Sequence, residues 1–162
     1  MYTRESDLVR DFAALVCGHS APWPHMRVAF EFAYQNGRVD VVGTSSASEL
    51  FSFEAKLIQW REALHQAYRS TSFSHHAYIV LPEKTAKKAA MYSYEFEVRR
   101  VGLLSVSPSS IEIIIPASCQ NPILPWLTGN ALEYITGVNF LQLAGGQNAK
   151  APTYSTGHCG RV

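Results

Sequence analysis

The sequence predicts a layered α/β (α+β) domain whose segments run α-β-β-β-α-β-α-β-β, followed by a short C-terminal helix. Three observations predict it. Apolar residues recur at three- and four-residue steps in residues 3–17 and again in 59–69, the period of a helix that buries one side. Residues 26–34 alternate as a strand ahead of Asn36-Gly37, a two-residue hairpin signal. Residues 77–82, AYIVLP, form an uninterrupted apolar run of the kind found in a strand covered on both faces.

Each element follows from its residues. In the first helix Leu8, Phe12, Leu15 and Val16 make the apolar stripe, with Thr3 as N-cap and Gly18 as the stop. The connection Ala21-Pro22-Trp23-Pro24 leads to the first strand, where Val28, Phe30, Phe32 and Tyr34 share a face. Residues 38–44 are its hairpin partner. A polar turn, SSAS, precedes a third strand at 49–57, with Phe51, Phe53, Ala55 and Leu57 pointing one way. The second helix, 59–69, presents Trp60, Ala63, Leu64 and Ala67. After 77–82, one helix is expected from about Glu83 to Val98, then two short strands at 101–107 and 110–116 around Pro108-Ser109-Ser110. Residues 121–125 carry two prolines and read as a loop, and Asn130-Ala131-Leu132-Glu133 resembles a capping box opening a short helix. Residues 117–144 are thus a loop and helix packed on or beside a core at 1–116, and 145–162 read as a flexible tail.

Composition narrows the function. At 162 residues, 47% hydrophobic and 17% charged, the chain holds material for one core and is too apolar to stay disordered. A formal charge of +1 excludes polybasic, histone-like binding but leaves room for a local basic patch. No apolar run approaches the length of a membrane span, and MYTRESDLVRDF lacks the charged-then-apolar pattern of a signal peptide. A soluble, cytoplasmic chain is expected. Cys17, Cys119 and Cys159 are odd in number and far apart, which fits neither a disulfide framework nor a zinc ribbon, so reduced thiols are expected.

The chemistry is read from the strands. With Asn36-Gly37 as the loop, Gln35 pairs with Arg38, Ala33 with Asp40 and Glu31 with Val42, which sets Asp40 on the side opposite Phe30 and Phe32. In the third strand Glu54 and Lys56 share a face opposite Phe53 and Ala55. Two nearby carboxylates repel unless they share a proton or hold a cation. Mg²⁺ favours such hard oxygen ligands, and a lysine beside it orients water and balances charge developing on phosphorus. The trio suits metal-assisted phosphodiester hydrolysis. The alternative for Glu54 and Lys56 is an ordinary cross-strand ion pair on a solvated face.

Asp40, thirteen residues, then Glu54-Ala55-Lys56 resembles the signature of the PD-(D/E)XK nuclease superfamily, set in the second and third strands as that superfamily has it. The helix that follows carries Gln66-Ala67-Tyr68-Arg69, and the buried strand ending Leu81-Pro82 comes next, again in the family's order. Val39 stands where the name's proline would be. The resemblance spans residues 3–116 and implies a restriction endonuclease-like core, a mixed sheet flanked by helices. It implies Asp40, Glu54, the Ala55 carbonyl and an acidic residue of the first helix as metal ligands. Lys56 and Gln66 would join Asp40 and Glu54 as catalytic residues, and Mg²⁺ (with Mn²⁺ substituting) would be the cofactor.

Glu5 is the first-helix acid, on the inward stripe with Leu8 and Phe12; the alternative is that it stabilises the helix N-terminus. Glu31, on Asp40's face, is its substitute. Gln66 reaches a water or phosphate oxygen, or is an ordinary surface residue. Residues 55–100 carry eight Lys or Arg against four Asp or Glu. Arg61, Arg69, Lys84, Lys87 and Lys88 are therefore candidate contacts to a polyanionic backbone, with DNA favoured over RNA. His75-His76 and the rings of Tyr92, Tyr94 and Phe96 read as packing or surface. A catalytically silent binding or assembly module on the same fold is the rival. So is an unrelated protein that meets a partner through Trp126 and Leu127. A homodimer or larger partner would help so small a chain cut a duplex.

Overall fold

A computed structural model describes residues 1–19, 22–35, 37–45 and 48–144, the last seven by backbone only. Its centre is a six-stranded sheet in the order β1-β2-β3-β4-β5-β6. The strands are β1 (Arg27–Tyr34), β2 (Gly37–Thr44), β3 (Phe51–Ala55), β4 (His76–Pro82), β5 (Val101–Ser107) and β6 (Ser110–Ile115). β3, β4 and β5 run parallel and the other pairs antiparallel, which makes the sheet mixed. Parallel neighbours need crossovers, and helices supply them: α2 (Trp60–Ser70) between β3 and β4, and α3 (Glu83–Ala90) with α4 (Ser93–Glu97) between β4 and β5.

Alternation along the central strands sorts the core into two layers. On one face α1 (Glu5–Cys17) sets Leu8, Phe12 and Val16 against Phe51, Phe53, Ala55, Tyr78 and Val80. The rings of Phe12 and Phe53 meet there at 4.8 Å. On the other, Leu64 and Ala67 of α2, Ala86 and Ala89 of α3 and Phe96 of α4 cover Ala77, Ile79 and Leu81. β4 is buried from Ala77 to Leu81, as its apolar run requires. A third cluster joins α5 (Pro125–Ala144) to the β1–β2 hairpin through Leu127, Ala131 and Ile135 on Ala29, Phe32 and Val39. Among the described residues no helix is long and apolar enough to cross a membrane.

Several boundaries differ from the sequence reading for physical reasons. α1 begins at Glu5, with the Arg4 carbonyl accepting the amides of Asp7 and Leu8, so Thr3 is not its cap. The expected 83–98 helix is two, broken at Met91 and Tyr92, which brings the Tyr92 and Phe96 rings onto Trp60 at 5.4 and 5.8 Å. α5 opens at Pro125, five residues ahead of Asn130; proline suits a first helical turn, whose N–H has no partner to lose. In the hairpin Tyr34 pairs with Gly37 and Phe32 with Val39, so every partner is displaced by two residues from the expected register. A shift of two keeps each side chain on its face. The β1 face is broken instead at Glu31, which takes φ 58°: Ala29 and Phe32 are buried, while Phe30 is 40% exposed. The flexible tail expected at 145–162 lies outside the described residues.

Candidate functional site

The site opens where the sheet splits. β2 and β3 pair only from Val41 to Gly43 against Phe53 to Phe51, and beyond Val41 the hairpin departs from β3. Asp40 and Glu54 are the next residues on either side of the split. Around them lies a cavity of about 850 Å³ whose walls come from α1, the hairpin, β3 and α2. Glu5, Asp40, Glu54, Lys56, Gln66 and Arg69 all line it. Four separate elements therefore deliver six of the sequence candidates to one place, although 64 positions in numbering separate Glu5 from Arg69.

The two central acids are bound into the fold. Asp40 Oδ2 accepts the Ala55 amide at 2.9 Å, and the Glu54 carboxyl lines the same cavity from the other side of the split. Glu54 is 3% exposed. Burial, then the charge of Asp40, lift its carboxyl to about 9 against the pull of Lys56 and Arg69. Asp40 is raised too, chiefly by burial, with the Ala55 amide and Lys56 opposing. Both carboxyls thus resist being ionised together, the condition that a shared proton or a bound cation relieves. Lys56 follows the last residue of β3, yet its amide still donates to the Val80 carbonyl at 3.2 Å, which extends the ladder and keeps its side chain in phase with Glu54. Its Nζ lies 3.4 Å from Glu5 Oε2, with the lysine side chain 20% exposed.

Other candidates fare differently. Glu5 is not on the buried stripe: as the first residue of α1 it overhangs the cavity with its side chain 48% exposed. It is held by Lys56 rather than closed onto the acid pair. Glu31 faces the same cavity but is paired with Arg38 at 2.6 Å. The Ala55 side chain is buried beneath α1, and its amide serves Asp40. Arg61 and Arg69 stand about two turns apart along α2, and of the two it is Arg69 that lines the first cavity. Arg61 stacks over Trp60 and Tyr92 and pairs with Glu95 at 3.0 Å, far from the acids along α2. Lys87 is held by Glu83 at 2.6 Å. Lys84 and Lys88 line a second cavity of about 710 Å³.

Phe30, Arg10 and Arg38 line the first cavity and were not singled out from sequence. Only Arg38 carried a signal, since it sits two before Asp40 in one strand and shares its face. Among the described residues, the His, Cys, Asp and Glu atoms that come within 4.8 Å as a group of three belong to Glu49, His76 and Cys119. They gather at the opposite, amino end of β4. Cys119, the cysteine of that trio, lies at the surface. Cys17 is free and exposed.

No protein-family model matches this sequence, and none of the curated proteins does. Among solved structures, a protein of unknown function from Silicibacter pomeroyi is similar with a TM-score of 0.62 at 17% identity, over 91% of this chain and 98% of that one. That likeness defines the fold class, a mixed sheet flanked by helices, seen over nearly the whole of both chains. At this identity it speaks to architecture alone.

Proposed function

We propose that the chain is a Mg²⁺-dependent nuclease of the PD-(D/E)XK type that hydrolyses phosphodiester bonds of DNA. The observation that carries the reading is the convergence of half-buried Asp40, buried Glu54 and Lys56 on one cavity at the split in the sheet. An acid pair with raised carboxyls is destabilised whenever it is fully ionised, and a divalent cation relieves that repulsion; the donor set is the hard oxygen set Mg²⁺ favours. Asp40 and Glu54 would hold the ion, with the Ala55 carbonyl and Glu5 as further ligands. When bound, the ion lowers the pKa of water and polarises phosphoryl oxygen.

The remaining work falls to the chain's own groups. The Lys56 ammonium orients the attacking water and balances negative charge building on phosphorus. Arg69, on the α2 wall, offers a planar guanidinium to a phosphate oxygen, and the Gln66 amide offers a neutral donor beside it. Attack in line leaves a 5′-phosphate. Glu5, by engaging Lys56, keeps its amine at the mouth of the cavity.

The test is nicking of supercoiled plasmid with Mg²⁺. Lys56→Ala is expected to lower the rate by about 10²–10⁴-fold with an unchanged circular dichroism spectrum. Cleavage by that variant at the wild-type rate would remove the role given to Lys56, and a wild-type chain that binds DNA without cutting it would favour the silent binding module.

A further inference from the structure

The second cavity is lined in part by residues that neighbour, in sequence, those of the first. Its walls include Met1 to Thr3, just ahead of Glu5, and Leu57 and Ile58, just after Lys56. It also takes in Lys84 and Lys88 of α3 and Pro82 at the end of β4, so it lies at the carboxyl ends of the parallel strands, where open α/β sheets bind ligands. From Lys56 to Ile58 the chain spans at most about 7 Å.

The lining is divided by chemistry. Leu57, Ile58 and Val106 supply apolar surface, and Ile58 is 78% exposed at the mouth. Lys84 and Lys88 stand one helical turn apart, where like charges repel. Among the described residues no ion pair engages either. Glu83, also at the cavity, is taken up by Lys87. Thr85 donates to the Leu57 carbonyl at 2.6 Å and fixes the loop to α3, so the cavity is preformed. Apolar floor and paired cations select a ligand with a flat apolar body and adjacent anionic groups.

We infer that this cavity is a subsite for one unpaired nucleotide of the strand being cut, its base against Leu57 and Ile58 and its phosphates on Lys84 and Lys88. The inference rests on the nuclease reading and narrows its substrate class to a strand that is single or opened beside the scissile bond. A base inside a duplex stack has no route into such a recess and must leave the stack to enter it.

The full-length chain, with chelator so that nothing is cut, is titrated into labelled oligothymidylate and into a blunt duplex of equal length, read by fluorescence anisotropy. Oligothymidylate should bind more tightly than the duplex. Ile58→Asp should weaken oligothymidylate binding about 10-fold by opposing the base. Lys84→Ala/Lys88→Ala should lower the slope of log affinity on log salt by about 1.4, the loss of two phosphate contacts on a single strand. Both changes are on the surface, and thermal melts check that the fold is kept. Unchanged binding by both variants, equal losses on the duplex, or no binding of oligothymidylate by the wild type would overturn the subsite. The plasmid assay separates the two ideas. Variants that lose single-strand affinity in a chain that cannot nick DNA leave the subsite standing without the nuclease. Nicking by a chain whose subsite variants bind normally leaves the nuclease standing alone.

Discussion

Glu54 carries a proton into the folded state that the unfolded chain gives up near its ordinary value of 4.5, because burial and Asp40 lift its carboxyl to about 9. A carboxyl raised in this way contributes stability that is fully present below the unfolded value and is lost as pH climbs through the folded one. In chelator, stability should therefore fall between pH 6 and pH 8 by up to about 1.4 kcal/mol per pH unit, the contribution of one proton. Urea melts at the two pH values measure this, and Glu54→Gln should flatten the dependence. A wild-type chain as stable at pH 8 as at pH 6 would contradict a Glu54 carboxyl raised by its burial. Under the proposed function Mg²⁺ should stabilise the protein more at pH 8 than at pH 6, since the cation competes with that proton. The residues of this pair were legible in the sequence because faces follow parity, and an error of two in the hairpin register leaves parity intact. Glu5 was misread because helical periodicity says nothing about how far the first turn projects past the sheet.

Elements were legible where a period was long and uninterrupted. β4 and α2 fall within one residue of their expected bounds, since burial on two faces or on one stripe imposes its own spacing. The break between α3 and α4 and the turn of β1 at Glu31 left no such mark. A non-glycine residue with φ 58° is sustained by its surroundings rather than by local preference, at a cost of about 1–3 kcal/mol. Packing between elements gives two expectations. Phe12→Ala, which empties the contact of α1 with β3, should cost about 3–5 kcal/mol in urea melts. Gly102 of β5 leaves no room for a methyl group, because a Cβ there would fall 2.2 Å from the Tyr78 ring and 2.7 Å from the Ala117 amide. Gly102→Ala should destabilise by about 1–3 kcal/mol, read the same way, and Tyr78→Leu in the same chain should return part of the loss.

At the scale of the molecule, the mixed sheet with helices on both faces was legible from segment order, and the Silicibacter pomeroyi protein shows the same architecture across nearly its full length. The reach of α5 was not. Its apolar residues sit at helical steps, but its target is a hairpin some ninety positions earlier, and no local pattern announces a contact that distant. Tyr134 donates to the Phe30 carbonyl of the hairpin and Thr128 to the Phe73 carbonyl of the loop after α2, so α5 bridges the two. Leu127→Ala should cost about 2–5 kcal/mol and, under the proposed function, should also weaken Mg²⁺ affinity in calorimetry because the hairpin carries Asp40. A loss of stability with unaltered affinity would show that α5 does not support the site.

The ladder between β2 and β3 stops after three residues, and beyond it a side chain takes over: Asp40 reaches across the gap to the Ala55 amide. The Phe73 ring, against Phe32 and Tyr34, and the Thr128 hydroxyl, on the Phe73 carbonyl, tie hairpin and α5 to the loop after α2. One carboxylate is therefore mortar as well as chemistry, and its removal loosens the architecture along with the charge.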